Sequence, residues 1–276
     1  MESAIQVAQA EMEEWILGKV AAGFHPKAME ILENPEATEA QLESLKTMLD
    51  PATTARLITM AGTLFAGNLW RGEVKESKFS SVMMRLGMQT TKGLIILSLF
   101  SDDQTRNREL KARCVGIATL ARLLAKEDKL RNDLISKVET AGLFSDFGRV
   151  ILRLYETEKK FRLPIGYVDD HHREIAAKLL DRLNLGEIKE IAFPAMYDFS
   201  SLSSYVFIAQ TIVEKSFGQY GLLALRSVMP DDLSIIKTAG SEISNVFQAI
   251  GLSEFVEIHP VETPEQKRLR EKTEKK

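Results

Sequence analysis

Apolar residues recur along this chain every three or four positions, and they do not alternate over a strand's length in any segment. Ile5, Ala8, Met12, Trp15 and Ile16 form one such stripe. Val115, Ile117, Ala118, Leu120, Ala121 and Leu124 form a second, and Ile175, Ala176, Leu179, Leu180 and Leu183 a third. A stripe of this period is buried by laying one helix against another. The pattern therefore restricts the fold to an all-α, multi-helix bundle. No internal repeat of fixed length runs through it.

Turn and cap signals divide the bundle. Pro26 restarts the chain after Gly23, and Asn34-Pro35 stops a short helix. Thr38 followed by Gln41 has the spacing of a capping box, and Asp50-Pro51 opens another helix. Gly62 and Gly67 bracket its end, and Gly87 precedes a buried-looking run at 93–100. The polar segment Ser101–Asn107 is the clearest internal break. Helices are then expected over 110–124, 133–143, from Val150 toward Lys160, after Asp169-Asp170 as far as Asn184 and Gly186, and over 188–196 and 202–213. Pro230-Asp231-Asp232 starts a last pair, broken at Gly240. The division this gives is an N-terminal helical part at 1–100, a second helical part at 101–258 and a charged tail at 259–276, too polar to order itself.

Composition narrows the function. The net charge of −3 and pI near 5.9 disfavour a broad basic surface for nucleic acid. No apolar run approaches the roughly 20 residues that span a bilayer, and the acidic N-terminus has no basic leader region. A single cysteine, Cys114, suits a reducing compartment. The expectation is a cytoplasmic protein without nucleic-acid or membrane partners.

The segment Ala141–Arg149 (AGLFSDFGR) places Ser145 and Asp146 in an apolar run flanked by glycines. A carboxylate there is either partnered or held at a pocket floor, because burying it alone is costly. No G-x-S-x-G elbow surrounds Ser145, and neither of the two common glycine-rich phosphate loops occurs. The Met83, Met84 and Met88 side chains read as core filler. Phe193, Tyr197, Phe199, Tyr205 and Phe207 read as packing between C-terminal helices, with a partner groove as the alternative.

Two portions of the chain resemble the HDOD domain, a helical signalling domain related to HD phosphohydrolases. Pro26, Ile31-Leu32, Asn34-Pro35 and Leu49–Ile58 (LDPATTARLI) are similar to the family's DPALTARLLRLAN helix, and Met83–Gly87 to its A-x-x-x-LG signature. Leu110–Ala125, Gly142–Leu152 and His172–Leu185 resemble the HD-like part, so that the similarity runs over about residues 20–255. The resemblance implies a metal pattern that this sequence does not complete. Arg113 stands in the place of the first histidine, and a guanidinium has no lone pair for a metal. The His-Asp pair reads Ser145-Asp146, and a later histidine is matched by His172, with His171 beside it. HDOD domains generally lack the full ligand set. Arg113, Ser145, Asp146 and His172 thus form a vestigial pocket, with Asp146 expected to be partnered by Arg113 or by backbone amides rather than to serve as a residual ligand or base.

Asp169-Asp170-His171-His172 is the other candidate, as a weak metal or ligand site. Adjacent helical residues point about 100° apart, so both histidines do not readily serve one ion. The reading preferred here has the aspartates capping a helix and one histidine packing inward. His25 and His259 carry no motif. No catalytic residue, metal or cofactor is expected. The resemblance implies a stand-alone bacterial output or adaptor protein that binds a protein partner in trans, in two-component or cyclic-di-GMP signalling. The alternatives are a degenerate HD-type phosphodiesterase and a nucleotide sensor using the vestigial pocket, for which Arg113 and Arg149 supply positive charge.

Overall fold

The computed structural model describes residues 2–23, 26–34, 36–49, 54, 57, 78–86, 88–100, 105–195, 201–220, 242–248 and 252. Among them the regular elements are α1 (Glu2–Gly23), α2 (Pro26–Glu33), α3 (Glu39–Met48), α4 (Phe79–Leu86), α5 (Met88–Leu99) and α6 (Thr105–Glu127). Then come α7 (Asn132–Ser145), α8 (Phe147–Lys159), α9 (Tyr167–Arg182), α10 (Gly186–Ala192) and α11 (Ser203–Tyr220). A further helical stretch lies at 242–248, and the described residues contain no strand. The fold is all-α. No described helix is long and apolar enough to cross a membrane.

Local signals account for several boundaries. Thr38 caps α3 through its hydroxyl, which accepts from the Gln41 amide at 3.3 Å, while the Gln41 side chain accepts from the Thr38 amide at 2.8 Å. Such a reciprocal cap stabilises a helix by about 1 kcal/mol. Asn184 turns out of α9 with φ +54°, where its short polar side chain tolerates the left-handed region. Gly186 instead opens α10 and takes no part in ending α9, whose C-cap is Leu183. Helix α6 begins at Thr105, ahead of its apolar stripe, because its polar first turns show no periodicity to read. Most of the helix expected after Asp50-Pro51, the segments around Pro230 and Gly240, Tyr197, Phe199, His25, His259 and the charged tail lie outside the described residues.

Packing centres on α6 and α7, which run together, with α11 crossing both, α5 and α10 against α7, and α9 against α8. Glycine sets two of these contacts. A Cβ on Gly142 would sit 2.9 Å from the Ala118 Cα, and one on Gly148 only 1.8 Å from the His172 carbonyl oxygen. Both glycines lie inside helices, and 141–149 is helical on either side of Asp146.

A chain of edge-to-face rings carries the N-terminal helix onto this core. Trp15 meets Phe100 at 6.0 Å and Tyr155 at 5.3 Å, Phe100 meets Phe147 at 5.6 Å, and Phe147 meets Phe144 at 5.4 Å. Each such pair adds about 0.5–1.5 kcal/mol beyond the area it buries. The Trp15 indole also donates to Glu158 at 3.2 Å, and Lys178 pairs with Glu13 at 2.6 Å. Met83 is fully buried as expected, but Met84 is 63% exposed and is not core filler. It follows Met83 directly, and α4 turns it toward solvent. Phe207 is partly exposed.

Two glycines in helices give opposite expectations. Gly148→Ala drives a methyl group into backbone, so it should destabilise by roughly 3 kcal/mol or more. Nothing lies near the Cβ direction of Gly18. Gly18→Ala should therefore stabilise by about 0.5–1 kcal/mol through helix propensity alone. Chemical denaturation of the two variants checks both signs.

Candidate functional site

Asp146 is the single residue between α7 and α8, with φ −115° and ψ 3°. Phe144 and Phe147 flank it, both buried and stacked edge to face at 85°. Ring packing on either side therefore fixes the corner and aims the carboxylate inward, where it is 0% exposed. An ionised carboxylate in that place requires charged or hydrogen-bonding partners.

Two guanidinium groups supply them. Arg113, on α6, donates from Nε to Asp146 Oδ2 at 2.9 Å. Arg149, in the first turn of α8, donates from Nε to Asp146 Oδ1 at 2.7 Å. Each carboxylate oxygen thus has its own cation. The network continues at both ends: Arg113 Nη2 lies 3.6 Å from Glu214 on α11, and Arg149 Nη1 bonds Asp169 on α9. One row of alternating charge, Glu214–Arg113–Asp146–Arg149–Asp169, ties together α11, α6, the α7–α8 corner and α9. The Arg149 bond holds Asp169 below the usual carboxylate range. Burial works against the Arg149 charge, but Asp146 and Asp169 outweigh it and hold its pKa above the ordinary value.

The other residues singled out from sequence are placed differently. The Ser145 hydroxyl donates to the Gly142 carbonyl at 2.8 Å, so it is spent on its own helix. His172 is buried beside the corner, its backbone against Gly148, and Nδ1 shares its proton between the Val168 and Asp169 carbonyls at 3.1 and 2.9 Å. Burial, reinforced by the nearby Arg149 charge, lowers its pKa and keeps the ring neutral. His171 points elsewhere, with Nδ1 3.5 Å from Glu174 and its ring 4.2 Å from that of Tyr167. Asp170 is exposed. The run Asp169–His172 therefore spreads around the helix and does not converge.

The expected cap at Asp169-Asp170 is corrected. Helix α9 starts at Tyr167, and its N-cap is Gly166 at φ +85° without a side-chain cap bond. The positive φ that only glycine takes readily lets the helix begin before the aspartates, which occupy its first turn and favour its positive end. The partner role of Asp169 and Glu214 was not legible from sequence. Nor was that of Arg149 read there, although an Asp and an Arg three residues apart are within reach of each other along a helix.

The HD-related fold implies a divalent metal at this corner, and the residues do not fit one. A catalytic ion needs about three protein ligands. Arg113 offers none, both Asp146 oxygens face guanidinium groups, and Ser145 is turned into its helix. Among the described residues no group of three or more His, Cys, Asp or Glu side chains is placed to hold an ion. Cys114, next to Arg113, is fully buried. Burial, followed by the Asp146 charge, pushes its thiol well up and leaves it a poor thiolate donor.

Residues 23–182, more than half of the chain, match the family model of the HDOD domain. The chain belongs to the HDOD family. The match covers the corner, both arginines and His172, and ends with α9. A solved structure from Shewanella amazonensis SB2B, provisionally named a metal-dependent phosphohydrolase, has 16% identity and a TM-score of 0.51. It covers 88% of this chain and 99% of its own, and it supports the helical HD-like fold. An HDOD domain protein of unknown function from Geobacter sulfurreducens has 18% identity and a TM-score of 0.46, covering 96% of this chain and 95% of its own. No curated protein matches the chain.

The neutral His172 gives a pH dependence with a defined sign. Its folded pKa lies below the ordinary 6.5, so at mildly acidic pH the unfolded chain binds a proton that the folded chain does not. That contribution is complete above pH 6.5 and declines as pH falls toward the folded value. Melting temperature should drop between neutral pH and pH near 5 more steeply in the natural chain than in His172→Gln, as thermal unfolding across that range would record.

Proposed function

We propose that this HDOD protein is non-enzymatic and works by binding a protein partner in trans, as an output or adaptor module of a bacterial signalling pathway. The observation that carries this reading is the pair of guanidinium groups on Asp146. In a metal phosphohydrolase, a carboxylate at such a corner would present lone pairs to an ion that activates water. Here both oxygens accept from fixed cations at 2.9 and 2.7 Å, and the Ser145 hydroxyl is committed to a backbone carbonyl, which leaves the corner short of the three ligands an ion needs. What the metal would contribute to the fold, a positive charge joining helices, is supplied by Arg113 and Arg149. The site keeps the mechanical role and loses the chemical one. A rigid helical body that positions surfaces suits an adaptor.

The test is metal content and turnover measured together. After loading with manganese or iron and gel filtration, the purified protein should carry far less than one ion per chain. It should show no hydrolysis of nucleotides, cyclic di-GMP or a chromogenic phosphodiester above the metal-free background. Stoichiometric metal, with turnover that disappears in Asp146→Ala, would overturn the reading in favour of a phosphodiesterase.

A further inference from the structure

The segment that joins α8 to α9, residues 160–166, is held in one shape from within. The Phe161 amide donates to the Glu156 carbonyl at 3.1 Å, and the Leu163 amide to Glu156 Oε1 at 2.9 Å. Arg153 Nη1 donates to Glu156 Oε2 at 2.5 Å, which keeps that carboxylate in place, and the Tyr167 amide donates to the Pro164 carbonyl at 3.1 Å. Leu163 plugs into the core at 9% exposure. With Leu163 inward, the residues two positions away on either side are turned out: Phe161 is 49% exposed and Ile165 fully so.

These are two of only a few large apolar side chains left in water among the described residues. They stand at most roughly 13 Å apart by chain length. Lys159, Lys160 and Arg162 are interleaved with them, all exposed and without an ion-pair partner among the described residues, in a chain whose net charge is −3. The cations deeper in are already matched, Arg153 by Glu156 and Arg149 by Asp169. Beside the segment lies a recess of about 690 Å³, reaching from Thr157 and Arg153 to Asp169.

We propose that this segment and its recess are the docking surface for the protein partner, and that the partner presents an acidic peptide with an apolar anchor. The inference rests on the adaptor reading above and gives it a place and a chemistry. The exposed cations select negative charge and speed encounter. Phe161 and Ile165 bury an aliphatic or aromatic side chain, and the internally braced segment loses little freedom on binding. A recess favours an inserted chain over a flat lipid surface. Asp169 lines the recess and is bonded to Arg149, so an occupant would bear on the same charged row that organises the vestigial corner.

The experiment is selection of a displayed library of short random peptides on the full-length protein, with fluorescence-anisotropy titration of the peptides that emerge. Three proteins are titrated: the natural chain, the double variant Lys160→Glu/Arg162→Glu, and Ile165→Ser. Their melting temperatures should coincide, since all three positions are exposed. The expected result is enrichment of peptides rich in Asp and Glu around one large apolar residue. Their affinity should fall about tenfold or more in each variant, the size of losing a charge pair or an apolar anchor. Peptides that are neutral or basic, or that bind both variants as well as the natural chain, would overturn the proposal. So would failure to enrich any peptide, and so would binding to phosphatidylserine vesicles or cyclic di-GMP that the same variants abolish. A metal-free, inactive protein that selects no acidic peptide would refute the surface and leave the non-enzymatic reading standing.

Discussion

The structure turns on the burial of one carboxylate. Asp146 is withdrawn completely from water at the corner between two helices, and a lone ion there would cost several kcal/mol even after relaxation. Two guanidinium groups from different helices meet that cost, and their own outer nitrogens reach Glu214 and Asp169. The corner is consequently an electrostatic clasp joining α6, α8, α9 and α11. Its geometry depends on apolar packing as well: Phe144 and Phe147 set the turn, and the ring chain through Phe100 to Trp15 extends that fixation to the N-terminal helix. Removing one cation would leave the carboxylate half-matched, which is worse than never having buried it.

A second buried charge follows the same rule at a different place. Arg122 on α6 is 1% exposed and lies 3.3 Å from Glu139 on α7 and 2.6 Å from Glu242 in the helical stretch at 242–248. Burial raises the Glu139 pKa against the pull of Arg122. Here too a guanidinium joins helices that apolar contact alone would let slide. Arginine suits both positions because it stays charged and spreads its donors over a fork. The bundle therefore carries two internal ionic ties, each centred on a buried or half-buried guanidinium.

Much of this was legible in the sequence, for identifiable reasons. The uniform helical period gave the class, and the Thr38–Gln41 spacing gave a cap whose two bonds are both present. Arg113 and Asp146 could be expected to meet because the HDOD resemblance sets them at one pocket. What periodicity could not see were contacts between helices far apart in sequence, such as Arg113 with Glu214. Nor could it show that Gly142 and Gly148 are glycines because another helix approaches closely at each of them. The aspartates before His171 looked like caps because the positive φ of Gly166 leaves no mark in the letters.

The central claim is that Arg113 and Asp146 form an energetically coupled pair at the corner between α7 and α8. A double-mutant cycle between Arg113→Met and Asp146→Asn, read by chemical denaturation, tests it most directly. The account predicts a coupling free energy of about 1–3 kcal/mol, as for charges that share one buried network. A coupling below about 0.5 kcal/mol, the range of independent sites, would contradict it.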